Sequence, residues 1–66
     1  MAETIGKRIL QRRRELDMSQ ETLSMKSGVS RPVISGLESG TRKDVLVSTL
    51  TDIASALDVP VDFFLT

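Results

Sequence analysis

The stretch that decides the fold runs from residue 19 to residue 40 and reads SQETLSMKSGVSRPVISGLESG. Ser19 and Ser30 each precede a short segment of helical character, where a serine hydroxyl can accept an N–H from the first helical turn. Gly28 stands where the chain must turn with a positive φ, and Gly40 ends the second segment. The stretch therefore predicts two short helices joined by a tight turn.

The side-chain spacing of these two helices predicts how they pack. Leu23 of the first must meet Ile34 and Leu37 of the second across the glycine turn. This spacing crosses the two helices at a steep angle, so the second one projects from the surface. A projecting helix of about 12 Å diameter fits the major groove of double-stranded DNA.

Helix signals recur before this stretch. Thr4 is the expected N-cap of a first helix over residues 5–16, and Asp17 is a tolerable left-handed stop. The inner stripe of this helix is expected to carry Ile5, Ile9, Arg13 and Leu16.

Further helix signals follow the stretch. Residues 41–47 are expected to form a loop, and Ser48 is the expected cap of a fourth helix over residues 49–57. Pro60 opens a short last helix over residues 61–65. The predicted fold is all-α, a single domain with five short helices over the 66 residues.

The composition excludes several function classes. The chain has no cysteine and no histidine, so we expect no disulfide, no metal site and no cofactor. Acid–base catalysis would be left to carboxylates, none of which has suggestive spacing, so we do not expect an enzyme. No apolar run approaches the roughly 18–20 residues that span a bilayer, and the N-terminus lacks a signal-peptide core. We therefore expect a cytoplasmic protein without a membrane partner.

Charge is distributed unevenly along the chain, although the formal net charge is zero. Residues 1–43 hold all nine basic and five of the nine acidic residues, for a formal charge of +4. Residues 44–66 hold only four aspartates as charged groups. Such a bipolar molecule can present a positive face to phosphates, and a mixed solvated surface without a partner remains the alternative.

The sequence resembles the helix-turn-helix family of lambdoid phage repressor and Cro proteins, the Xre/Cro type. The helix-turn-helix would span about residues 19–40, and the resemblance extends over nearly the whole chain. It includes Arg13, Ser19, Gln20, Gly28, Ile34, Leu37, Glu38 and Gly40 and continues through residues 53–59 and 61–65.

The resemblance implies a DNA-binding surface. The residues it places there are Gln20, Ser30, Arg31, Pro32, Ser35, Gly36, Arg42 and Lys43. Arg31 is the best candidate for reading a base, because its guanidinium can grip O6 and N7 of guanine. Arg42 and Lys43 would contact phosphates, with a solvated charge pair as the alternative. At Gly36, where family members often carry a reader, the glycine implies close backbone approach or readout of DNA shape.

The family also pairs a first-helix arginine with the glutamate that ends the recognition helix. By resemblance, Arg13 and Glu38 would form this structural ion pair rather than contact DNA. Its orienting role would matter more than its net stability.

Apolar residues cluster at the C-terminal end, where Val59, Val61, Phe63, Phe64 and Leu65 exceed what one short surface turn needs. Most should close the core, and any left over could form a homodimer patch. The predicted function is sequence-specific binding of double-stranded DNA by a dimeric, repressor-type transcriptional regulator. A protein-interaction module or antitoxin-like partner-binding protein with the same fold is the alternative, supported by the near-neutral charge.

Overall fold

The computed structural model describes the backbone of residues 2–65 and the side chains of residues 5–65. Within this part the chain forms five α-helices and no strand, which confirms the all-α prediction. The helices are α1 Ala2–Glu15, α2 Gln20–Ser27, α3 Arg31–Ser39, α4 Val47–Ala56 and α5 Asp62–Leu65.

A single apolar core joins these helices. α3 packs against α1 and α2, α4 packs against α2, and α5 packs against α1. The largest fully buried side chains are Ile9, Leu23, Ile34, Leu37, Ile53, Leu57 and Phe64. Each of these helices buries at least one apolar side chain in this core, so removing apolar area from water is the main force that holds the short helices together.

The signals at Ser19, Gly28 and Gly40 act as the sequence predicts. The Ser19 hydroxyl accepts the N–H of Thr22 at 3.0 Å, which caps α2. Gly28 and Gly40 end their helices with φ values of 77° and 83°. Asp17 adopts φ 55°, the left-handed stop expected after α1.

Two predicted caps are wrong, and Ser30 occupies its predicted N-cap position without a side-chain capping bond. α1 begins at Ala2, so Thr4 lies within the helix instead of preceding it. α4 begins at Val47 with Leu46 at its N-cap position, and Ser48 already lies in its first turn. The Ser30 hydroxyl makes no capping bond, because the N–H of Val33 is taken by the Ser30 carbonyl and the intervening Pro32 has no N–H.

Leu16 does not join the inner stripe of α1. It is 38% exposed, because α1 ends at Glu15 and the chain turns directly after it. The side chain that packs on the core at this corner is Met18. An Arg13 guanidinium nitrogen donates to the Met18 carbonyl at 2.9 Å, which holds the corner in this conformation.

The C-terminal segment closes the core largely as expected. Phe64 is buried, and Val59, Val61 and Phe63 pack against the core while partly exposed. Leu65 remains 53% exposed.

Candidate nucleic-acid interface

α3 has one face fixed in the core and one face turned outward. Ile34 and Leu37 are completely buried on the inner face, so they set the rotation of the helix about its axis. The outward face carries Ser30, Arg31, Pro32 and Ser35, all of which are exposed. Gly36, half-buried, lies at the edge between the two faces. The five predicted residues in and just before α3 are therefore at least partly accessible to a partner.

An ion pair fixes the C-terminal end of α3 to α1. Arg13 donates from Nε to Oε2 of Glu38 at 2.9 Å and from Nη2 to Oε1 at 2.8 Å. This two-point contact holds both the distance and the orientation of the guanidinium plane. The hydrogen bond to Glu38 raises the pKa of Arg13 above its ordinary value, although burial acts in the opposite direction. The pair predicted by resemblance is thus formed.

Gln20 extends this contact to α2. Its side-chain amide donates to Oε1 of Glu38 at 3.0 Å. Glu38 therefore joins α1, α2 and α3, because it accepts from Arg13 and from the first residue of α2 at once. The Gln20 amide thus contacts α3.

The loop after α3 is held against that helix. The N–H of Arg42 donates to the Gly36 carbonyl at 3.0 Å, and the Ser39 hydroxyl donates to the same carbonyl at 3.2 Å. The Ser39 and Thr41 hydroxyls lie 2.9 Å apart within hydrogen-bond reach. Pro32, Gly36 and Arg42 share a shallow groove with Thr41, Lys43 and Asp44.

The cations beside this groove are exposed. Arg31, Arg42 and Lys43 form no side-chain hydrogen bond or ion pair with any other described residue. Their charged groups are therefore available to an anionic partner.

The sequence profile of the Helix-turn-helix family matches residues 9–64. The chain belongs to this helix-turn-helix family. Its recognition helix, in the family's terms, is α3.

Two relatives agree with this assignment. A Rhodospirillum rubrum protein named as an uncharacterized transcriptional regulator in the ATPase CF(0) region is 47% identical over 60 residues. That match covers 91% of this chain and 55% of the relative, so the chain spans about half the length of the curated relative. The crystal structure of the restriction-modification controller protein C.AhdI from Aeromonas hydrophila superposes with a TM-score of 0.89 at 32% identity. This superposition covers 96% of this chain and 94% of C.AhdI.

The first-helix arginines are not equivalent in this helix-turn-helix domain. Arg8 donates to the Phe63 carbonyl at 2.8 Å and lies over the Phe63 ring, and Arg12 donates from Nε to the Leu57 carbonyl at 3.0 Å. These two cations therefore hold the C-terminal segment against α1. Arg14 is exposed.

Sequence reasoning missed Gly6, which is buried where α1 meets α3. A Cβ at this position would overlap the carbonyl oxygen of Leu37. Glycine therefore lets the two helix backbones approach, and the available signal was a helix-breaking residue within an otherwise regular helical pattern.

Among the residues that the structure describes, no helix has the length and apolar character needed to cross a membrane. No group of three or more described acidic, histidine or cysteine side chains is arranged to hold a metal ion.

Proposed function

We propose that this helix-turn-helix domain binds double-stranded DNA sequence-specifically as a homodimer and represses transcription. α3 enters the major groove with its outward face toward the bases. The observation that carries this proposal is the orientation of α3: its inner face is fixed by the core and by Glu38, while Arg31 and its neighbours project outward.

The roles within this surface follow from side-chain chemistry. Arg31, in the first turn of α3, is positioned to donate to O6 and N7 of a guanine. Ser30 and Ser35 can donate to base edges or phosphates, and Pro32 offers apolar contact to a thymine methyl group. The Gln20 amide, held by Glu38 at 3.0 Å, retains a second N–H for a phosphate at the start of α2. Lys43 binds phosphate.

Dimerisation follows from the small size of the recognition surface. One such domain buries little DNA surface, so tight binding calls for two subunits on half-sites about 34 Å apart. The exposed Leu65, next to the partly buried Val61 and Phe63, offers an apolar patch at the C-terminal helices. The patch lies on elements other than α3, which leaves the recognition helix of each subunit open.

A role in regulating transcription is supported by the names of the relatives, and repression is the form of regulation that we propose. One is named a transcriptional regulator and the other a restriction-modification controller protein. A dimer bound over a promoter would block access of the transcription machinery. A reporter gene behind the selected site should therefore be expressed less when the chain is present, and unchanged or increased expression would contradict the repressor role.

Binding-site selection from random DNA followed by gel-shift titration tests sequence-specific binding. Arg31→Ala should lower affinity for the selected site by about 5- to 150-fold, as expected for one bidentate base contact. Lys7→Ala is the matched control, because it removes one exposed positive charge from α1. Absence of any sequence preference, or equal loss in both variants, would overturn the proposal.

Oligomeric state is tested separately by sedimentation with and without the selected DNA. Leu65→Asp should shift the wild-type dimer toward monomer, since it places a charge in the proposed apolar patch. A wild-type monomer that binds the DNA with one subunit per site would contradict the dimer.

A further inference from the structure

Arg42 is held against the one position of α3 that has no side chain. A Cβ placed on Gly36 would lie 3.0 Å from the Arg42 Cβ and 3.8 Å from its Nε. The stem of Arg42 therefore crosses the helix at Gly36, in the space that a side chain at residue 36 would occupy. We propose that Arg42 reads a base pair in the major groove from this position, with Gly36 as its positioning residue.

The backbone around Arg42 is fixed well enough for such a role. Its N–H donates to the Gly36 carbonyl at 3.0 Å, and that carbonyl also accepts the Ser39 hydroxyl at 3.2 Å. The Thr41 N–H in turn donates to the Ser39 hydroxyl at 3.3 Å. The loop thus leaves α3 along a defined path, and a base-reading group needs such preorganisation.

The surface of α3 beside Arg42 lacks a side-chain hydrogen-bond donor for a base edge. Pro32 and Gly36 lie one turn apart on α3 and share a groove with Arg42. Neither offers a side-chain donor or acceptor to a base edge. The Arg42 guanidinium, which forms no hydrogen bond or ion pair with another described residue, supplies paired N–H donors that match O6 and N7 of guanine.

Lys43 is the contrasting neighbour. It is exposed in the same loop but is not part of the contact with Gly36. An ammonium group on a flexible stem binds phosphate as a point charge. The two adjacent cations therefore have different roles: Arg42 contacts a base pair, and Lys43 contacts the DNA backbone.

This inference rests on the proposed function, so the experiment begins with the wild-type chain and its selected DNA site. A panel with single base-pair substitutions is titrated with wild type, Arg42→Ala and Lys43→Ala. Arg42→Ala should abolish a preference of about 5- to 150-fold at one position of each half-site, other than the position that responds to Arg31→Ala. Lys43→Ala should weaken binding to all sequences evenly and reduce the salt dependence by about one counterion.

Replacing single guanines of the site by 7-deazaguanine identifies the groove. This analogue lacks only the N7 acceptor in the major groove. It should weaken wild-type binding at the position that Arg42 reads and cause no further loss with Arg42→Ala. An even loss of affinity across the panel with Arg42→Ala, or an unaltered response to 7-deazaguanine, would overturn base reading by Arg42.

Gly36→Ala tests the positioning role. The added methyl group forces Arg42 to move by a few tenths of an ångström, so the response to 7-deazaguanine at that position should weaken while the response at the Arg31 position persists. A wild-type response in Gly36→Ala would refute positioning by Gly36. A wild-type chain with no sequence preference at all would instead refute the proposed function.

Discussion

The two faces of α3 differ in how many contacts they make with the rest of the protein. On the inner face, Ile34 and Leu37 are fully buried and Glu38 accepts hydrogen bonds from Arg13 and Gln20. On the outer face, the exposed Arg31 forms no side-chain hydrogen bond or ion pair with another described residue.

This difference separates orientation from recognition. Substitutions on the inner face should cost folding free energy, because they remove buried contacts. Substitutions on the outer face should leave folding nearly unchanged and alter which DNA is bound. Four stability measurements test this separation, and the largest effects are expected where α3 is most deeply buried.

Leu37→Ala should cause the largest loss. Removing a fully buried leucine side chain costs about 2–5 kcal/mol, a large fraction of the stability of so small a domain. Urea unfolding followed by circular dichroism measures it. Leu46→Ala is the control, since Leu46 is 72% exposed and the change should stay within about 0.5 kcal/mol. Equal losses in the two variants would mean that the inner face does not anchor α3.

Glu38→Ala should cost about 3 kcal/mol, because it leaves Arg13 and Gln20 without their shared acceptor. Glu15→Ala is the control, because it also removes the glutamate of an arginine–glutamate pair. The Arg12–Glu15 pair is more exposed, with 48% of the Glu15 side chain accessible. Its loss should be about 0–1 kcal/mol. Thermal unfolding of both variants distinguishes an orienting ion pair from a surface one.

Gly6→Ala should destabilise the domain by about 1–3 kcal/mol, because its methyl group must push α1 away from the Leu37 carbonyl. Alanine is the better helix former, so propensity alone predicts the opposite sign. Chemical denaturation decides between the two, with the exposed Lys7→Ala variant as reference. A stabilised Gly6→Ala variant would show that the two helices are not in close contact.

The smallest losses of stability are expected for substitutions of the two serines that precede α2 and α3. Ser19→Ala should cost about 1 kcal/mol, since its hydroxyl caps α2. Ser30→Ala should stay within about 0.5 kcal/mol, because the Ser30 hydroxyl makes no capping bond. Melting temperatures of the two variants rank these effects, and the reverse order would contradict the assigned caps.

The parts of the fold that the sequence predicts are those with local causes. The Ser19 cap and the positive φ angles at Gly28 and Gly40 depend on residues within one turn, so their signals can be read directly. The prediction of Ser48 as the N-cap of α4 was wrong, because a serine is an N-cap only if the helix begins directly after it. α4 begins at Val47, two residues before the predicted start, and the Val47 carbonyl accepts the Thr51 hydroxyl at 2.8 Å.

The candidate site divides in the same way. The resemblance was sufficient to predict the Arg13–Glu38 pair and the outward placement of Arg31. The contact of Arg42 with Gly36 and that of Gly6 with Leu37 depend on the separation of two backbones. Neither contact produces a periodic pattern in the sequence. The sequence shows that a glycine is present, but it does not show which atom packs against that glycine.

The Arg13 side chain spans two boundaries of the helix-turn-helix at once, since it binds the Met18 carbonyl just before α2 and the Glu38 carboxylate near the end of α3. The geometry of the motif therefore depends on a residue outside it, in α1. Residues 19–40 transplanted onto another scaffold would carry both serines and both glycines but lose the brace that sets the interhelical angle. A designer who wishes to move this recognition helix must move α1 with it.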